Sequence, residues 1–188
     1  MLNTDFPKLK LKNKLLLPIV QGGMGVGISA HGLAGSVARL GAIGTISSVD
    51  LRRHHPDLMA RTDKSRDKAP INEANLIALD REIRAALDMA AGNGVIAVNV
   101  MRAVAEYAAY VRQSCESGAG AIVVGAGLPM DLPELTTDFP DVALIPILSD
   151  ARGISLILKK WMRRQRLPDA IVIAVSYTHL RAHETKAN

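Results

Sequence analysis

The 188-residue sequence is short of the residues that mark several protein classes. Cysteine occurs once, as Cys115, which excludes a disulfide framework and a cysteine-based zinc cluster and fits a reducing compartment. The aromatic residues are one Trp, three Tyr and two Phe, too few for base-stacking platforms. No run approaches the roughly 18 apolar residues of a membrane span, and the longest, 15–20, contains Pro18. Residues 1–14 lack the apolar segment of a secretory signal. A cytoplasmic protein with no membrane partner is the expectation.

Acidic charge is also short, since 18 Asp and Glu face 23 Lys and Arg, for a net +5. The excess sits in two places. Lys8, Lys10, Lys12 and Lys14 alternate with Leu9 and Leu11, as on a strand with one wet face. Arg152, Lys159, Lys160, Arg163, Arg164 and Arg166 stud a helical stretch. Both patterns are those of solvated faces, and no helix-turn-helix or other reading module accompanies them. No nucleic-acid partner is expected.

What the sequence has is Ile, Val, Leu and Ala in a repeated order. Short β-branched runs follow Gly or Pro punctuation, and helical periodicity follows each run. The strands are expected at 17–21, 42–47, 95–100, 121–125, 142–148 and 170–175. Ser29 is expected to cap a helix reaching Leu40, with Leu33, Val37 and Leu40 on one face. Asn72 is expected to cap a longer one, carrying Leu76, Leu79, Ile83, Leu87 and Ala90. Val104, Tyr107, Val111 and Cys115 mark a third, where Cys115 reads as packed core. Strand starts 20–30 residues apart are βα units, and the single longer gap holds a charged insertion, 50–71, read as a surface excursion or lid. His54 and His55 lie in it with no matching third ligand, so no metal is expected. The repeat allows an open doubly wound sheet or a (β/α) barrel, and both place functional residues at the carboxyl ends of strands.

After the first run stands Gln21-Gly22-Gly23-Met24-Gly25-Val26-Gly27-Ile28-Ser29-Ala30, where four glycines let a backbone approach a flat or anionic ligand. Gly25-x-Gly27-x-x-Ala30 with Asp50 beyond also matches a dinucleotide fingerprint, so an NAD-binding dehydrogenase domain is one reading. Against it, Gly22-Gly23 comes earlier than that fingerprint needs, and Asp50 opens the insertion instead of closing a strand.

The segment 18–27, followed by Leu33-Ala34-Gly35-Ser36-Val37-Ala38 and Gly41-Ala42-Ile43-Gly44-Thr45-Ile46, resembles the nitronate monooxygenase family. Val98-Asn99-Val100-Met101, Gly125-Ala126-Gly127-Leu128-Pro129 and Ile145-Pro146-Ile147-Leu148-Ser149 continue the resemblance in order. It implies an α/β fold, an FMN-binding (β/α)8 TIM barrel with about six βα units in this chain. It also implies that Gly22, Gly23 and Met24 lie against the FMN ring, where a packed backbone tolerates no side chain. Asn99 and, more weakly, Ser149 are then amide and hydroxyl partners of the cofactor beyond their strands. The implied chemistry is oxidation of an alkyl nitronate or nitroalkane with O₂. A flavin enoyl-thioester reductase of the same barrel group is the nearest rival, and a non-catalytic fragment is a third possibility.

The sequence departs from the family in one region. The family's catalytic histidine lies in a Gly-Gly-His stretch after the sixth strand, and no such stretch occurs here, so no catalytic residue is assigned. Residues 174–188, with His179 and His183, resemble the translation of a sequencing adapter and are expected to be foreign to the gene, leaving 1–173 as an incomplete barrel domain. Barrels of this kind usually hold the cofactor phosphate on later loops. The chain as written is therefore expected to bind FMN weakly or not at all and to be inactive itself, whereas its intact parent would bind the cofactor.

Overall fold

A computed structural model describes residues 5–174. Its strands are β1 (Leu9–Leu11), β2 (Lys14–Leu16), β3 (Ile43–Ser47), β4 (Val95–Met101), β5 (Ala121–Gly125), β6 (Ala143–Leu148) and β7 (Val172–Ile173). Its α-helices are α1 (His31–Arg39), α2 (Pro56–Thr62), α3 (Lys68–Ala90), α4 (Tyr107–Glu116), α5 (Leu132–Leu135) and α6 (Ala151–Met162), with a 3₁₀ turn at Leu51–His54.

Strands β3 to β7 form one parallel sheet in strict chain order. That order decides between the two architectures. A dinucleotide-binding doubly wound sheet reverses its strand order and binds at the reversal, whereas a barrel wall runs consecutively. The described sheet has no reversal, so it is an arc of barrel wall and the dehydrogenase reading falls. Register adds the stagger a barrel needs: Ile43 pairs with Val95, but the third residue of β4, Ala97, pairs with Ala121 at the start of β5.

Both sheet faces are covered, which is why the strands are nearly continuous apolar runs. Outward residues Ile46, Ile96, Val98, Val100, Ile122, Val124 and Leu144 pack under the helices. Inward residues Ile43, Val95, Ala97, Ala121, Val123, Ala143 and Ile145 pack around Leu11 and Leu16. These two leucines come from the β1–β2 hairpin, so the alternating lysine stretch is two short strands about a turn, with Lys12 at φ 50°. Lys14 Nζ donates to the Gly94 carbonyl at 2.8 Å, and Lys12 Nζ reaches the Pro140 carbonyl and Asp169. The hairpin thus closes the amino ends of the strands, opposite the glycine loop.

The strands expected at 42–47, 95–100, 121–125 and 142–148 are present to within a residue. The run at 17–21 is corrected: it makes only a bridge from Val20 to Ile43, flanked by Gln21 N donating to Ile43 O and Ile43 N to Ile19 O. Pro18 and the turn toward the glycines leave too little regular backbone for a ladder. Within 170–175 only Val172 and Ile173 pair, with Ile147 and Leu148, and Ala174 N donates to Leu148 O; residues 175–188 lie outside the described residues.

The buried face of α1 is corrected too. Leu33 and Leu40 are exposed, while Ala34, Gly35 and Ala38 face the core. Small residues are needed there because α1 lies directly on β3 and α3. A Cβ on Gly44 would overlap the Ala34 carbonyl, and one on Gly35 would meet the Met89 side chain at 2.9 Å. The insertion is not a loop: Leu51 and Leu58 are fully buried, and α3 begins within it at Lys68, capped by Asp67 instead of Asn72. Asp67 accepts from Ala69 N at 3.0 Å, and Asn72 binds Glu106.

Cys115 faces the core on α4, and burial pushes its thiol up to about 12. Near neutral pH the buried thiol therefore stays protonated and unreactive. Native protein is expected to react with iodoacetamide far more slowly than the urea-unfolded chain, and equal rates would contradict the burial.

Candidate functional site

The carboxyl ends of β3 and β4 carry the glycine loop, residues 22–29, and a small network explains why it sits there. Gln21 Oε1 accepts from Thr45 N at 2.9 Å, while its Nε2 donates to Ser29 Oγ at 2.9 Å and to the Gly22 carbonyl. Ser29 Oγ accepts from Met24 N at 2.9 Å, Ser29 N donates to Met24 O, and Ser47 N donates to Ser29 O at 3.0 Å. The loop is closed on itself by Ser29 and fastened to β3 by Gln21. Ser29, 0% exposed, is therefore not the cap of α1; Ala30 holds the N-cap position and offers no side-chain bond.

The glycines differ in what surrounds them. A Cβ on Gly23 would lie 2.6 Å from Asn99 Cβ, so the loop rests on that side chain. A Cβ on Gly25 would meet Ser47 Oγ at 3.2 Å. Gly27 has φ +72°, and a side chain there would run into the His54 ring. Gly22 has open space where its Cβ would be, and Met24 beside it is exposed. The loop therefore shows one bare backbone segment, Gly22–Met24, to the exterior.

Asn99 pairs in register with Ser47 on one side and Val123 on the other. Alternation from buried Ala97 turns it to the inner face. Its carbonyl accepts from Ser48 N, but its side-chain amide makes no hydrogen bond among the described residues. Thr45 Oγ1, buried on the same face, also has none. Of the expected cofactor residues, Gly22, Gly23, Met24 and Asn99 are thus brought together. Ser149 stands apart, exposed at the end of β6, with its hydroxyl 3.4 Å from the Asp150 carboxylate that caps α6. Gly153 N donates to that carboxylate at 2.8 Å and holds it below the usual range.

Asp50 is committed elsewhere: Arg53 Nε donates to it at 2.6 Å, and Arg52 Nε lies at ion-pair distance, 3.3 Å. A ribose would have to displace both arginines. The histidine doublet divides, His54 packing on Gly27 and His55 turning to buried Glu82. No group of His, Cys, Asp or Glu among the described residues is arranged to hold a metal ion. No helix among them is long and apolar enough to cross a membrane.

Sequence reasoning missed Gln21 and Glu82. Gln21 was legible as the polar residue ending an apolar run. Glu82 stands on the apolar stripe of α3, between Leu79 and Ile83, which is itself a signal of a partnered carboxylate.

A parallel βα arc in strict chain order is part of a barrel wall, and the glycine-bared loop and the Asn99 amide at its carboxyl ends stand where barrels of this class place their functional residues. The chain belongs to the nitronate monooxygenase family, whose model matches residues 7–176; this is a family of flavin-dependent oxidoreductases. In fold it is similar to FabK from Thermotoga maritima, with a TM-score of 0.54 and 16% identity over 83% of this chain and 40% of that one. The chain thus spans less than half the length of that structure. Nitroalkane oxidase from Streptomyces ansochromogenes aligns with a TM-score of 0.36 and 14% identity over 84% of this chain and 64% of that one. No curated protein matches the chain in sequence.

Proposed function

We propose that the domain binds FMN at the glycine loop and serves the O₂-dependent oxidation of alkyl nitronates or nitroalkanes. The observation that carries this reading is the free Asn99 amide beside the bare Gly22–Met24 backbone, in a chain of the nitronate monooxygenase family. The residues fit the group. A ring lying on Gly22 and Gly23 meets no Cβ, and main-chain N–H groups nearby can donate to its edge. Asn99 both donates and accepts, which suits a flavin edge presenting alternate acceptors and donors. Met24 offers an exposed apolar thioether to the ring.

When bound, the flavin supplies the redox chemistry, taking electrons from the nitronate and passing them to O₂. The chain's own contribution is positional. Gln21 and Ser29 hold the loop rigid at the strand ends, and Asn99 fixes how a planar ligand is oriented against it. Ser149 belongs to the proposal only as a more distant contact, since its hydroxyl leans on Asp150.

The test is an assay of the gene's full-length product with propionate-3-nitronate and a nitroalkane, set against crotonyl thioester with NADH. Oxygen uptake dependent on FMN and nitronate is the expected result. NADH oxidation dependent on the thioester, without nitronate turnover, would overturn the substrate assignment.

A further inference from the structure

The carboxylate of Glu82 is 2% exposed, in the middle of α3, and the site described above makes no direct use of it. A charge at such a position persists only where it is paired and hydrogen-bonded. Its partners come from two other segments. Oε2 accepts from the backbone N–H of His31 at 2.7 Å and lies 2.7 Å from His31 Nδ1. Oε1 lies 3.1 Å from Nε2 of His55, the residue that precedes α2 in the insertion, a close approach without hydrogen-bond geometry.

His31 is the first residue of α1, and α1 has neither a capping side chain nor an acidic residue in its first turn. The free N–H groups of a helix start need an acceptor, and a carboxylate there also faces the positive end of the helix dipole. Glu82 supplies both from another helix. Ser29, freed from capping, turns its hydroxyl back to the Met24 N–H and the Gly22 carbonyl, which closes the glycine loop.

We infer that Glu82 is a positioning residue: by capping α1 from outside, with the His55 ring against its other oxygen, it sets the glycine loop against Asn99 and couples the charged insertion to it. The cap fixes where α1 begins, and the start of α1 fixes Ser29. Ser29 in turn fixes Met24 and Gly22. His54, next to His55, presses on Gly27 and restrains the same loop from the insertion side. The consequence for a cofactor rests on the flavin reading, but the coupling itself concerns this chain alone.

The test contrasts two substitutions of similar volume in the full chain, read by amide hydrogen exchange without flavin. Glu82→Gln keeps an acceptor oxygen for the His31 N–H. Glu82→Met fills the space, removes the acceptor and leaves no buried charge. With Glu82→Met, exchange at the Met24 and Ser29 amides is expected to rise about tenfold or more, the loss of one charge-assisted hydrogen bond. The Val98 and Ile122 amides are expected to stay as in the parent, and Glu82→Gln to stay within about threefold at the loop. A purely space-filling role would leave Glu82→Met at parental loop exchange, which would overturn the inference. Equal acceleration by both substitutions, or acceleration of the core amides in step with the loop, would overturn it as well. If Glu82→Met does not fold, the parent alone decides: the His31 amide, which a helix start would otherwise leave unprotected, is expected to exchange as slowly as the Met24 and Ser29 amides, and fast exchange at His31 would overturn the inference. Flavin affinity, measured separately on the same proteins, then reports on the cofactor reading, so the two can fail independently.

Discussion

Gly44→Ala is expected to destabilise the chain by about 3 kcal/mol or more, at the upper end of what overpacking a core costs. The reason is that Gly44, on β3, faces α1 at backbone contact. A Cβ there would overlap the carbonyl of Ala34, and the nearest atoms are all main chain, so no side chain can rotate away. Relief requires lifting α1 off the sheet, which opens the packing of Ala34 and Ala38, both 0% exposed. For a chain of this size the loss corresponds to a fall in melting temperature of roughly 6–12 °C. Gly32→Ala is the matched control, because Gly32 lies in the same helix with nothing within 4 Å of a Cβ. That substitution is expected to raise stability by up to about 1 kcal/mol, through helix propensity and a less flexible unfolded chain. The same chemical change thus carries opposite signs at positions 44 and 32. Thermal unfolding of both variants checks it, and a Gly44→Ala protein as stable as the parent would contradict the α1–β3 contact.

Gly23→Val is expected to weaken flavin binding by about ten- to a hundredfold while leaving the sheet intact. Its Cβ would fall 2.6 Å from Asn99 Cβ and 3.1 Å from Asn99 Nδ2, so either the loop rises or the amide turns away. Both movements separate the two halves of the proposed site. Neither disturbs the core, because the loop lies on the strand ends and its neighbour Met24 is exposed. Gly22→Leu separates sterics from folding in a different way. With open space around Gly22, it is expected to leave unfolding unchanged and to lower flavin affinity only where the ring rests on that backbone. Titration of FMN into the three proteins, with unfolding curves alongside, checks both. Equal affinity in parent and Gly23→Val would remove the glycine loop from the site.

The strands were legible because β-branched runs bounded by Gly41, Gly94, Gly120 and Pro140 leave the backbone few alternatives. The consecutive strand order was not. A βα repeat is shared by open sheets and barrels, and only the pairing of β3 through β7 separates them. The buried face of α1 was misread because hydrophobicity ranks leucine above alanine and glycine, whereas a helix seated on a sheet at backbone distance requires the smaller residues. The insertion was misread from its charge. Its anchors, Leu51, Leu58 and the buried Arg52 bonded to Thr62, are few and widely spaced. Four of the five expected cofactor residues fell together because the glycines and Asn99 carry local signals at strand ends. Glu82 acts across 51 residues of chain on a backbone N–H, a partnership that no motif spacing records.

The central claim is that the bare loop and the free Asn99 amide form a flavin site, and amide shift mapping of the ¹⁵N-labelled chain during FMN titration tests it most directly, even where binding is weak. The account predicts that the backbone amides of Gly22, Gly23 and Met24 and the side-chain amide of Asn99 move first, with NAD⁺ leaving them in place. Shifts confined to Gly25, Gly27, Ala30 and Asp50 with NAD⁺, or FMN-induced shifts at the opposite end around Gly92 and Gly94 with none at the loop, would contradict it.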